Sequence, residues 1–200
     1  MQRLISCRTI VNLLLNKLPD QIKVNSVSIP IQTDFRYWMK LEIAFNSNDD
    51  NEKIKAVSDI VNGKLPKDFN GLIKELSAFY LCGEAPVTER KKISSLARVY
   101  DYEVDQYSIY TSFMQHYGID LTKKELHWWI FKHMLLELPD ESKFKKVIMY
   151  RSIRIDSKMS KEQRNYYAEM KRLYALPQKK NGTQKARSYA QILAGGMTIK

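Results

Sequence analysis

Cysteine is almost absent from this chain of 200 residues. Cys7 and Cys82 are its two thiols; they cannot form a disulfide framework and lack the spacing of a zinc site, which fits inert thiols in a reducing compartment. Long hydrophobic runs are missing as well, since no stretch approaches the roughly 18 apolar residues of a membrane span. The apolar run at Ile10 to Leu15 is broken by Asn12 and followed by Asn16 with no small-residue cleavage site, so it does not read as a secretory signal. The 7 glycines are scattered, with no GxxxxGK(S/T) loop and no GxGxxG behind a strand, which removes the usual phosphate cradles. No GxSxG elbow offers a nucleophile. Acids vanish at one end: from Lys171 to Lys200 there are seven lysines and arginines and no Asp or Glu, so 7 of the +11 net charge lies in the last 30 residues and the rest of the chain carries +4.

What is present describes an ordinary soluble protein. With 44% hydrophobic and 28% charged residues, the chain can bury the core of a single domain. Ile22 and Val24, then Val27, Ile29 and Ile31, alternate with polar residues around Asn25-Ser26, which predicts a small β-hairpin with Pro30 confining its strand to an edge. The remainder reads as helix. Thr33 or Asp34 is placed to cap a helix over "FRYWMKLEIAF". "NDDNEKIKAVSDIVNG" has acids at its start and Gly63 past its end. "PKDFNGLIKELSAFYLCG" places Pro66 near a first helical position and stops at Gly83. The segment from Glu84 to Val99 has no clean period and is expected to be a mobile loop.

A second helical group follows. "EVDQYSIYTSFMQHYG" closes at Gly118, and Thr122 with Glu125 forms the capping-box pattern ahead of "LHWWIFKHMLLELP". A shorter helix carries Phe144, Val147, Ile148 and Arg151, and Ser160 with Gln163 gives another capping box before Pro177. The expected architecture is therefore mainly α: a compact multi-helix domain over residues 11–176 with a small N-terminal β-hairpin, then a flexible basic tail over 177–200.

The aromatic run "ELHWWIFKHMLLELP" invites a chemical reading, and the residues argue against it. His127 and His133 are six apart, which at about 100° per residue separates them by roughly 120°. They do not converge on a metal, and His116 adds no HExxH pattern. Asp101 with Asp105, and Asp140 with Glu141, read as helix-start residues rather than acid-base pairs. No catalytic residue, cofactor or metal is expected. Aromatics interleaved with lysines can bind nucleic acid, but here they follow helical spacing, and the +4 body shows no basic stripe. Leu126, Trp129, Ile130 and Met134 share one side of the run and Trp128, Phe131 and Leu135 another. A helix this apolar must be covered by its own domain or by another chain.

The motifs "TDFR" at Thr33 to Arg36, "YGIDL" at Tyr117 to Leu121, "LHWW" at Leu126 to Trp129 and the pair Tyr150-Arg151 occur in an order that resembles the bacteriophage gene-product-fifteen family, proteins of long-tailed phages and prophages of Gram-positive hosts. The likeness runs from about Val11 to Pro177. It implies that Asp34, Phe35, Arg36, Gly118, Asp120, Leu121, His127, Trp128, Trp129, Phe131, Tyr150 and Arg151 are the family-motif residues. It also implies a tail-assembly chaperone, encoded near the tape-measure gene, that holds the tape-measure protein soluble in the host cytoplasm until the tail tube polymerises. Other tail proteins are further expected partners, a homo-oligomer stays open, and no membrane is involved. The alternatives are a minor structural component retained in the virion or a non-specific nucleic-acid binder. Lys179, Lys180, Lys185 and Arg187 are candidate electrostatic contacts in the tail. Because the likeness begins near Val11, Met1 to Ile10 is either an extension or the product of a misassigned start, the latter with Val11 as the initiator.

Overall fold

The computed structural model describes residues 12–83 and 99–177 of the chain. Residues 1–10, expected to be either an extension or a misassigned start, the 84–99 loop apart from Val99, and the basic tail beyond Pro177 lie outside the described residues. Contacts gather the chain into two compact units. Among the described residues, one comprises 12–83 and 126–131, the other 99–125 and 132–177.

In the first unit, Asn25 and Ser26 take φ of 47° and 68°, the left-handed pair that a two-residue hairpin turn needs to follow the twist of its strands. Strands β1 (Gln21–Val24) and β2 (Val27–Pro30) pair antiparallel, Ile22 opposite Ile29. Ile22, Val24, Ile29 and Ile31 are buried, whereas Val27, beside the turn, is exposed. Helix α1 (Phe35–Asn46) starts where the Asp34 carboxylate accepts the Arg36 amide. Helix α2 (Asp50–Ile60) is capped by Asp49 and has Asp50 and Glu52 in its first turn, where the helix dipole favours them. Helix α3 (Phe69–Tyr80) is capped by Asp68, which accepts the Gly71 amide at 2.8 Å. Pro66 therefore stands ahead of the cap, not inside the first turn: a carboxylate able to take an orphan amide outweighs a residue that only lacks one. The same Asp68 carboxylate accepts from Asn25 at 2.9 Å, tying the hairpin turn to the start of α3. A Cβ at position 71 would meet that carboxylate and displace it, so glycine there suits the joint.

The second unit is built on helices α4 (Gln106–Tyr117), α6 (Lys143–Ser152) and α7 (Lys161–Leu173). Helix α5 (Trp128–Leu136) contributes its residues through Phe131 to the first unit and those from Lys132 to the second. Gly118 ends α4 at φ 65°, the left-handed cap for which glycine lacks a Cβ penalty. Ser142 caps α6 and Ser160 with Gln163 closes a full capping box on α7, as its spacing predicts. Ile109, Phe113, Leu138, Phe144 and Val147 are buried, and the hydroxyl of buried Ser112 accepts the Phe144 amide at 3.4 Å. Seven helices with 52% helical content and one two-stranded hairpin make the described chain mainly α.

One predicted boundary fails. Thr122 and Glu125 do not cap α5, which begins only at Trp128. The Thr122 amide and hydroxyl both turn back to Asp120 Oδ1, at 3.0 and 2.6 Å. Residues 126–128 are drawn into an extended pairing with distant residues, so a long-range ladder overrides a local capping signal.

Candidate functional site

That ladder joins two of the family motifs across about ninety positions of sequence. The Trp128 amide donates to the Thr33 carbonyl at 2.7 Å and the Phe35 amide to the Leu126 carbonyl at 2.9 Å. Asp34 and His127 form the bridge between them. The Asp34 carboxylate serves three groups: the Arg36 amide at 3.0 Å, the Arg36 guanidinium at 2.9 Å and the Leu126 amide at 3.3 Å. One short acid thus caps α1 and pins the strand that leads into α5. Arg36 also lies over the Phe35 ring at 4.7 Å.

Above this ladder the rings of both motifs form a buried stack. Phe35 faces Phe131 at 4.4 Å, and Trp128 lies 6.0 Å from Phe131, 6.2 Å from Trp38 and 5.2 Å from Tyr80. Tryptophan brings apolar area plus one N–H that needs a partner when buried. The Trp128 indole donates to the Tyr80 carbonyl at 3.0 Å and the Trp129 indole to the Phe79 carbonyl at 2.8 Å, both at the C-terminal end of α3 where helix carbonyls lack helical partners. Buried Glu42 accepts the Tyr80 hydroxyl. Both tryptophans are consequently interior, and the side of α5 facing solvent carries half-exposed Ile130 instead.

His127 is held by both ring nitrogens. Nε2 lies 3.0 Å from the Pro19 carbonyl, and Nδ1 accepts the Trp129 amide at 3.1 Å. These bonds require the neutral ring protonated at Nε2. Burial pushes the pKa below the ordinary histidine value, against the smaller opposing influences of the Pro19 carbonyl and Asp20. Among the described residues no three His, Cys, Asp or Glu side chains gather as metal ligands.

In the second unit Arg151 is the organising residue. Its guanidinium makes two bonds to Asp105, at 2.6 and 2.9 Å, and further bonds to the carbonyls of Val99 and Tyr174. The two side chains are 7% and 5% exposed, so this is a buried bidentate pair. Asp105 stands at the N-cap position of α4 but makes no side-chain cap bond, because its carboxylate is committed to Arg151 and to the Asp101 amide. It stands at the start of the helix as expected, with its carboxylate serving the ion pair instead of the cap. Tyr150 stacks on Tyr174 at 5.6 Å and shares a hydroxyl bond with Tyr166 at 3.0 Å. In the "YGIDL" motif, Leu121 is buried, and the Thr122 hydroxyl and amide hold the Asp120 carboxyl below the usual carboxylate range.

The motif residues thus fall into two separate sets, Asp34 to Arg36 with His127 to Phe131 in the first unit and Gly118 to Leu121 with Tyr150-Arg151 in the second. Sequence reasoning missed Phe79, Tyr80, Glu42 and Tyr174, which complete these sets; their helical spacing marked only the rings as core. The tail cations Lys179, Lys180, Lys185 and Arg187 lie outside the described residues. No helix among the described residues is long and apolar enough to cross a membrane. Neither the curated proteins nor the solved structures give a match. The family model described as Bacteriophage Gp15 protein, however, matches residues 14–176, a span that includes every motif above, and the chain therefore belongs to this bacteriophage family.

Proposed function

We propose that this phage protein is a tail-assembly chaperone that binds the tape-measure protein in the host cytoplasm before the tail tube polymerises around it. It acts by binding, not by catalysis. The observation that carries this reading is the family match over residues 14–176. The site geometry is in keeping with it: the motif side chains are spent on holding the fold together, with their polar groups paired to backbone and to each other, which is the economy of a scaffold that presents a surface. Exposed Leu14, Tyr107, Leu136 and Leu173 supply apolar contact area of the kind a helical client requires.

Co-expression with the tape-measure protein of the same phage tests the proposal. The expected result is a soluble tape-measure fragment that co-purifies with this chain. Equal solubility without the chain, together with no co-purification, would end the chaperone reading. Mass spectrometry of purified virions separates the structural alternative, for a chaperone is absent from the finished tail whereas a minor tail component is retained.

A further inference from the structure

Helix α7 is the longest helix among those described, and none of its 13 residues is buried. Tyr166, Tyr167, Met170 and Leu173 nevertheless follow at three-and-four spacing, the pattern of a helix with an apolar face to cover. Within the second unit, the end of α7 borders an open groove of about 370 Å³ whose walls come from α4, α6 and α7. Its apolar lining includes Val104, Tyr107, Val147, Leu173 and Tyr174. Tyr107 and Leu173 are 77% and 65% exposed, large apolar groups that the fold leaves in water.

Charge decides what belongs there. From Ser142 to Pro177 the sequence has ten lysines and arginines against three acids, a net +7. The exposed cations Lys143, Lys146, Arg154, Lys171 and Arg172 form no ion pair with a carboxylate among the described residues. Helix α6 places Lys143 and Lys145 in its first turn with no acid, where the helix dipole disfavours cations. The chain's own segment 178–200, with five cations and no acid, is repelled from such a surface, and so is the same face of a second copy. Nucleic acid fits poorly too. The lining includes Val104, Val147 and Leu173, and a phosphodiester backbone has no aliphatic face to bury against them, whereas the leucines of an amphipathic helix do. Largely apolar walls on helices that carry exposed cations without acidic partners among the described residues match an apolar helical face flanked by carboxylates.

We infer that this groove docks an acidic amphipathic helix, its apolar face between Tyr107 and Leu173 and its carboxylates against the cations of α6 and α7. The inference rests on the chaperone reading only for the source of that helix. Fluorescence anisotropy on the full chain tests it, with a labelled synthetic helix bearing leucines at three-and-four spacing and glutamates elsewhere. The comparison probes are the same peptide with lysine replacing glutamate and a single-stranded oligonucleotide. The acidic peptide is expected to bind, to weaken with salt, and to lose about tenfold in affinity on Leu173→Glu and on Lys143→Glu, with circular dichroism unchanged. Failure of the acidic peptide to bind, equal binding of both peptides, stronger binding of the oligonucleotide, or indifference to both variants overturns the groove assignment. Peptide binding with the expected losses, but no co-purification of the tape measure, would sink the chaperone reading alone. Co-purification undiminished by Leu173→Glu, with no peptide binding, would sink the groove alone.

Discussion

Arg151 and His127 show how single residues of the motifs set the stability of the units they belong to. Removing the Arg151 guanidinium leaves the Asp105 carboxylate buried without its counter-charge, and breaking a buried pair from one side costs roughly 3–5 kcal/mol. Arg151→Ala should therefore lower the chemical-denaturation midpoint sharply. Arg151→Lys should recover only part of the loss, because an ammonium cannot make the paired bonds to Asp105 and also reach the carbonyls of Val99 and Tyr174. Full recovery of stability in Arg151→Lys would show that charge alone matters and geometry does not. His127 gives a pH dependence whose sign is fixed by its burial. Its pKa is lowered in the folded chain, so the folded form binds the proton less readily than the unfolded one, whose value is near 6.5. The contribution of the neutral ring is complete above about pH 6.5 and is lost as pH falls through the folded value. Urea midpoints should decline between about pH 7 and pH 5, and His127→Phe, which cannot titrate, should flatten that decline. An unchanged slope in the variant would remove His127 as its cause.

At the scale of elements, the caps were legible in the sequence and the ladder was not. Asp34, Asp49, Ser160 and the left-handed glycines after α2 and α4 stand where their local chemistry placed them. Capping involves residues two or three positions apart, so a single sequence window contains the whole interaction. The start of α5 is different. Its Thr122-Glu125 signal is locally sound, yet the Asp34 carboxylate and the Thr33 carbonyl hold residues 126–128 extended from far away in the sequence. Trp128 and Trp129 were likewise readable as apolar, but their indole partners on α3 were not, since nothing in either segment names the other. Helix α6 carries the opposite lesson, a start that local rules would improve. Ser142 accepts the Lys145 amide at 3.3 Å, so Lys145→Glu would complete a capping box and place an acid at the favourable end of the dipole. The substitution is expected to stabilise the chain by about 0.3–1 kcal/mol while weakening attraction for acidic ligands. A thermal melt and the anisotropy titration measure the two effects on one variant. Loss of stability would mean that Lys145 makes a favourable contact that outweighs the cap.

For the whole molecule, the sum of charges concealed its distribution. Counting residues 1–170 as a body of +4 suggested no basic surface, but the excess begins at residue 142. Residues 1–141 hold eighteen lysines and arginines against nineteen acids, so residues 142–200 carry +12 and account for the whole net charge of +11. Such concentration strains the folded state by repulsion among like charges, which mobile ions screen over about 8–10 Å at physiological strength. Among the described residues, the ion pairs open to solvent, Lys17–Asp20, Arg36–Asp34, Lys53–Asp50 and Lys123–Asp120, lie before residue 142 and are of a kind that contributes little. The Arg151–Asp105 pair is buried and largely sheltered from screening. Repulsion is therefore the term that ionic strength changes most, and the melting temperature should rise as sodium chloride increases from about 20 to 300 mM. Polyglutamate at low ionic strength should raise it as well, by occupying the basic region rather than by screening it, and added salt should erase that effect. A melting temperature that falls with salt would place the dominant electrostatic term in the attractive pairs instead, and the unbalanced charge of residues 142–200 would then be neutralised within the chain rather than presented to a partner.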